Sequence, residues 1–390
     1  MKKICYVTTV ASTLHSFVLP CMEYLLENTD WQITVICDDA PDIRQWLPEK
    51  VRYIPVSMKR GISLSGIAAI RKMAKIFRKE KFDLVQYSTP NASLYASIAA
   101  KLAGIPVRLY CQWGIAYVGF QGFKRKIFKT VEKFVCSMST WVEPDSFGNL
   151  YFSRSEKLYG DQKSSVIWNG SASGVDLKKF DIANKARWRQ SIRRELGIEQ
   201  DAFVYGFVGR VTRDKGINEL FTAYRKLLAE DPACYLLLVG RQEKTETLDQ
   251  ELFTWAKQEP HVLFCDYTNV VEQYLSAMDV YILPSYREGF GSAVVEAEAM
   301  GVPVIVTDIP GPTDAMDENT GLVVKKADAS SLQDAMLRIK SDDALRQQQS
   351  TAGYDFARKR FEQGQLMSRI LQDRKRLMNC EENVRSESGS

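Results

Sequence analysis

The 390-residue sequence predicts an α/β protein made of two doubly wound domains, each a parallel sheet covered by helices. Three observations carry that prediction. Short apolar runs alternate with helical patterns of about 10–15 residues, which is the signature of repeated βαβ units. The alternation breaks once, at Asn169-Gly170-Ser171-Ala172-Ser173-Gly174, a small, polar, flexible segment with linker chemistry. It then restarts with a second set of strands.

In order, residues 4–10 read as a strand and 15–27 as a helix. Residues 31–37 and 51–56 are strands and 64–79 is helical. A strand at 83–87, a helix at 93–103 and a strand at 107–111 follow. A helical run over 123–135, a strand at 140–143 and a helix at 149–158 lead to a strand at 165–168. Beyond the linker, strands fall at 204–208, 235–239, 262–265, 280–283, 304–307 and 322–324. A last helix, 361–378, precedes a polar tail, 379–390, expected to be disordered. The expected domains are therefore 1–170 and 171–360. Doubly wound domains bind ligands at the carboxyl ends of their strands, so the site is expected in the cleft between the two.

Composition excludes several classes. With 45% apolar and 26% charged residues the chain is globular, not disordered or fibrous. Its longest apolar runs, such as 235–239, fall far short of the roughly 20 residues of a spanning helix. The opening MKKICYVTTV goes straight into a strand, without the apolar core of a signal peptide. Eight scattered cysteines with no Cys-x-x-Cys pair fit buried thiols in a reducing compartment rather than disulfides or zinc. The expectation is a cytoplasmic protein.

Charge is divided unevenly. Residues 1–180 hold 25 Lys and Arg against 15 Asp and Glu; residues 181–390 hold 27 against 33. Between Lys59 and Lys133 there are 15 basic and 3 acidic residues. The first domain therefore faces something anionic: a phosphorylated substrate, lipid head groups or nucleic acid. Nucleic acid ranks last, because zinc-finger spacing and aromatic RNA-binding signatures are both missing.

Two segments carry chemistry. The strand at 204–208 runs into Gly209-Arg210-Val211-Thr212-Arg213-Asp214-Lys215-Gly216 and then a helix. A glycine-rich turn at a helix start offers N–H groups to an anion, and Arg210 and Lys215 add a donor fork and a point charge suited to a diphosphate. The strand at 280–283 runs into Pro284-Ser285-Tyr286-Arg287-Glu288-Gly289-Phe290-Gly291-Ser292, and Glu296 lies on the following helix. Gly289 and Gly291 allow close backbone approach, while Glu288 and Glu296 can each accept hydrogen bonds from vicinal hydroxyls. Neither a Gly-x-Gly-x-x-Gly after the first strand nor a P-loop occurs, so the usual dinucleotide and nucleoside-triphosphate readings lose their support.

These motifs resemble a known family. Gly209–Gly216 with its Arg and Lys, the Glu288-x7-Glu296 spacing and Gly301-Val-Pro-Val-Ile-Val-Thr-Asp308 are similar to those of retaining glycosyltransferases of the GT-B fold, the large group 1 or family four class. The likeness extends over nearly the whole chain. It implies that Arg210 and Lys215 stabilise a leaving nucleoside diphosphate, that Glu288 contacts the donor hexose, and that Glu296 holds the ribose. The amides of Gly289, Phe290, Gly291 and Ser292, with Gly209, would line the sugar phosphate. It also implies a nucleotide-sugar donor, a UDP-sugar, and a saccharide acceptor linked to a polyprenyl diphosphate in capsule, O-antigen or exopolysaccharide synthesis. The terminal helix is expected to pack back towards the first domain. With no Asp-x-Asp motif and two histidines, a metal is not expected.

One departure stands out. Where many relatives have His-Gly, this chain has Trp113-Gly114, and a tryptophan can stack on a sugar but cannot exchange a proton. Acceptor-side candidates are His15, Trp113 and Gly114. Two helices, 64–79 and 120–135, are amphipathic with basic polar sides. Each apolar side is either core or a surface for an anionic bilayer on the inner face of the membrane. Two other functions remain open: a nucleotide-sugar 2-epimerase on the same fold, and a non-catalytic glycan- or lipid-binding protein.

Overall fold

Each half of the chain builds a six-stranded, all-parallel sheet in the computed structural model, which describes residues 1–40, 42–58 and 64–387. The first sheet holds β1 (Lys3–Val7), β2 (Gln32–Cys37), β3 (Arg52–Pro55), β4 (Leu84–Tyr87), β5 (Val107–Gln112) and β6 (Trp141–Pro144), in the order β3-β2-β1-β4-β5-β6. The second holds β7 (Phe203–Val208), β8 (Cys234–Val239), β9 (Val262–Cys265), β10 (Val280–Leu283), β11 (Val304–Thr307) and β12 (Gly321–Val324), in the order β12-β11-β10-β7-β8-β9. The chain divides into two units, Met1–Ser173 with Gly364–Ser390, and Gly174–Gln363.

The sequence explains these strands directly. Helices cover both faces of a parallel sheet, so its inner strands are apolar throughout rather than alternating. All six residues of β8, Cys-Tyr-Leu-Leu-Leu-Val, are buried. Strand order reverses between β1 and β4 in the first unit, and between β7 and β10 in the second. Those reversals open crevices at the carboxyl ends of the strands, where ligands of such sheets bind.

The terminal helix Gln363–Glu387 belongs almost entirely to the first unit. Leu366, Met367, Ile370, Leu371, Leu377 and Met378 share a core with Ile4, Tyr6 and Val35. Buried among them, Arg374 donates twice to Glu143 on β6: Nη1 to Oε2 at 2.5 Å and Nη2 to Oε1 at 2.8 Å. Such a pair adds geometric specificity as well as attraction.

One expectation needs correction. Residues 165–168 do not form a strand: Ser164 makes one parallel bridge with Val142, and Trp168 then turns the chain at φ 51°. The apolar run there is explained by packing, since Ile167 and Trp168 lie against the first unit's core. The tail expected from residue 379 overlaps the end of the terminal helix, Gln363–Glu387. Residues 388–390, with Lys59 and Arg60 of the basic stretch, lie outside the described residues.

Candidate functional site

The second unit's site grows from the loops after β7 and β10, the two strands flanking its order reversal. These loops touch through backbone. Gly216 has φ +71°, and a Cβ there would sit 2.0 Å from the Pro284 carbonyl oxygen, so no other residue fits without displacing the loop after β10. Gly311, after β11, meets the same loop: at φ +104°, its Cβ would lie 2.0 Å from the Gly289 oxygen.

Side chains pin the loops further. Asp214 accepts from the Tyr286 backbone N–H through its carbonyl at 2.9 Å, from Arg287 at 3.0 Å and from Thr212 at 2.6 Å. Burial pushes the Asp214 carboxyl up, but the Thr212 hydrogen bond and the Arg287 and Arg210 charges outweigh it, leaving the group below its ordinary value. Tyr286 donates to Glu219 at 2.6 Å.

Lys215 and Glu288 meet at this junction. Lys215 Nζ lies 2.5 Å from Glu288 Oε1, and Ser285 Oγ donates to the same oxygen at 2.6 Å. Both side chains are mostly buried, at 18% and 13% exposed. Arg210 stands apart, 52% exposed and 3.2 Å from Glu243. An exposed pair of that kind holds its arginine weakly.

Glu296 lies on the helix Ser292–Ala299, whose N-cap is Gly291. Its carboxylate has no hydrogen-bond donor among the described residues. Burial raises its pKa to about 7, against a partial counter-effect from Lys179 and with a further push from Glu272. Glu272 is itself buried, with Lys179 Nζ at 3.9 Å. Phe290 turns its ring into the core against Phe361, at 5.1 Å between centroids, so only its backbone is left for a ligand.

In the first unit, His15 lies exposed on a π-helical turn, Leu14–Val18, with its ring edge-on to Trp46 at 5.0 Å. Phe17 of the same turn packs 5.6 Å from Trp113, which is half-buried just beyond β5, and Gly114 follows at φ +98°. The turn bearing His15 and the Trp113 loop are thus brought together by Phe17. Sequence reasoning missed that link. It also missed Ser285 as the clamp on Glu288, although both stand in one loop, and the Lys179–Glu272 pair near Glu296, whose members are far apart in the chain.

A cation and carboxylates at the switch point of a doubly wound sheet define a class of protein that binds an anionic, hydroxyl-rich ligand. Comparisons make the class specific. The model described as "Glycosyl transferases group 1" matches residues 189–356, and that described as "Glycosyl transferase 4-like" matches residues 3–143. The chain is 29% identical over 366 residues to the capsular polysaccharide biosynthesis glycosyltransferase CapM of Staphylococcus aureus, covering 93% of this chain and 92% of that one. It is 30% identical to the UDP-Gal:alpha-D-GlcNAc-diphosphoundecaprenol alpha-1,3-galactosyltransferase of Escherichia coli, over 82% of this chain and 83% of that one. Among solved structures, Anabaena Alr3699/HepE in complex with UDP shares the fold, with TM-score 0.76 and 18% identity over 96% of this chain and 100% of that one. The chain belongs to the group 1 glycosyltransferases. Its fold is that of GT-B enzymes.

Proposed function

We propose that this glycosyltransferase acts with retention, moving a hexose or N-acetylhexosamine from a UDP-sugar to a saccharide on a polyprenyl diphosphate, in surface polysaccharide synthesis. The Lys215–Glu288 pair at the β7/β10 junction carries this reading. Support for the substrates comes from the diphosphoundecaprenol acceptor and UDP-Gal donor in the name of the Escherichia coli relative.

The chemistry follows from charge. Without a ligand, Lys215 and Glu288 neutralise each other in a mostly buried position. An arriving diphosphate offers Lys215 a stronger partner and frees Glu288 to accept a hydroxyl of the sugar, while Ser285 keeps its carboxylate in place. As the sugar–phosphate bond breaks, negative charge grows on the departing diphosphate. Lys215, the weakly held Arg210 and the N–H groups of Gly289–Ser292 then meet it, and preorganised donors of this kind are worth several kcal/mol. Glu296, lacking donors of its own, accepts from the ribose hydroxyls. The first unit supplies His15, Trp113 and Gly114 to the acceptor. Lys215 and Arg210 supply the positive field without a metal, so EDTA should leave the rate unchanged.

The test is a screen of UDP-sugars with a polyprenyl-linked acceptor extract, reading UDP release and the anomeric configuration of the product. Acceptor-dependent UDP release with retained configuration supports the reading. An inverted product refutes retention, and conversion of a UDP-sugar without acceptor would mark an epimerase instead.

A further inference from the structure

The helix Gly122–Met138 is amphipathic, but it is mounted with its apolar stripe outward. At about 100° per residue, Phe123, Ile127 and Phe134 fall within about 40° of one another on its surface. All three are exposed, Phe123 by 78%. The opposite side is the one that packs on the unit. Val135 and Cys136 are buried there. Glu132, the helix's one acid, accepts from Tyr110 at 2.9 Å and Gln112 at 2.6 Å. Arg125 and Lys129 turn the same way and share the Glu156 carboxylate, at 3.2 and 2.7 Å. Lys126 and Lys133 flank one edge of the stripe with no acidic partner among the described residues, and Lys124 flanks the other, its Nζ 4.2 Å over the Phe120 ring.

The helix Leu64–Glu80 shows the contrast. Its Ala69, Met73, Ala74 and Phe77 are buried in the first unit's core, as an ordinary amphipathic helix requires. An outward stripe of two phenylalanines and an isoleucine leaves apolar area in water with no gain in folding, and marks an interaction surface.

The geometry points to a bilayer carrying anionic lipid as the occupant of this stripe. Apolar side chains with lysines at both edges match an acyl–headgroup boundary under negative head groups. A second copy fits poorly, because a self-complementary contact would bring the same unpaired lysines together. This inference deepens the proposed function, whose lipid-linked acceptor lies in such a membrane.

The experiment uses the full chain with two kinds of vesicle, phosphatidylcholine alone and phosphatidylcholine doped with phosphatidylglycerol. Wild-type protein should sediment with the doped vesicles, less so as salt rises. F123S/F134S and K126E/K133E should each weaken that binding by at least about tenfold, the first at every salt concentration and the second mainly at low salt. Both should keep the wild-type melting temperature and the wild-type rate on a water-soluble short-chain acceptor. A tryptophan at Phe123→Trp should blue-shift on binding and be quenched by lipids brominated on the acyl chain. Wild-type protein left in the supernatant, F123S/F134S binding like wild type, or a dimer that F123S/F134S dissociates would each overturn the inference. Loss of transfer with vesicle binding intact would count against the proposed function alone.

Discussion

Lys215 Nζ and Glu288 Oε1 lie 2.5 Å apart although 73 positions separate them in the chain. Two loops carry them together because their parent strands, β7 and β10, are neighbours at the point where the sheet's order reverses. Each residue thereby masks the other's charge until a diphosphate competes for the lysine.

Glu288→Gln should separate binding from turnover. The amide can still accept from Ser285 but no longer neutralises Lys215, so the freed ammonium should hold UDP as tightly as wild type or more so. Turnover should fall by about 100-fold or more, as when a group specific to the transition state is removed. Calorimetry of UDP binding beside steady-state rates checks both halves.

Donor affinity should depend on pH through Glu296. Its pKa of about 7 lies above the ordinary 4.5, so the free site binds a proton as pH falls below about 7. Ribose hydroxyls need the carboxylate as acceptor, so UDP should bind best above that pH and weaken below it, by up to about tenfold per unit. Glu296→Gln should bind weakly and without this dependence. Titration calorimetry across pH 5.5 to 8.5, roughly bracketing an ordinary one-proton transition, reads it.

Gly216→Ala should damage the site by sterics alone. The added methyl meets the Pro284 oxygen at a positive φ, so the loop after β10 must move. A cost of about 1–3 kcal/mol is expected for strain of this kind, with a melting temperature lowered by several degrees and UDP binding impaired. Gly104→Ala, also at positive φ but with open space around it, should leave UDP binding intact.

Breaking the buried Arg374–Glu143 pair should destabilise the first unit. Arg374 is 1% exposed, and Glu143→Gln leaves it Asp373, 2.8 Å from Nη1, as its remaining carboxylate partner, so a cost of about 1–3 kcal/mol is expected. Replacing both residues with apolar ones of similar size should recover much of that loss. Denaturant unfolding of the single and double variants measures it.

Much of the architecture was readable because apolar runs of strand length are hard to disguise: β9, β10 and β11 fall at the residues that periodicity assigns. Lys215 and Glu288 were legible too, since glycine-rich loops after buried strands advertise themselves. Other features were not. Residues 165–168 have strand composition, yet whether a run pairs depends on a neighbour that only the fold supplies. Lys179, Glu272 and Glu296 come from three separate segments, and no local pattern predicts their proximity. A helical wheel finds the apolar side of Gly122–Met138 but cannot say that Glu132 anchors the opposite side to Tyr110 and Gln112.

The turnover of Lys215→Ala with a UDP-sugar and its lipid-linked acceptor tests the central claim most directly. If Lys215 offsets the charge of the leaving diphosphate, kcat should fall by about 100-fold or more while the melting temperature changes little. A kcat within a few-fold of wild type would show that the charge is met elsewhere, and would contradict the account.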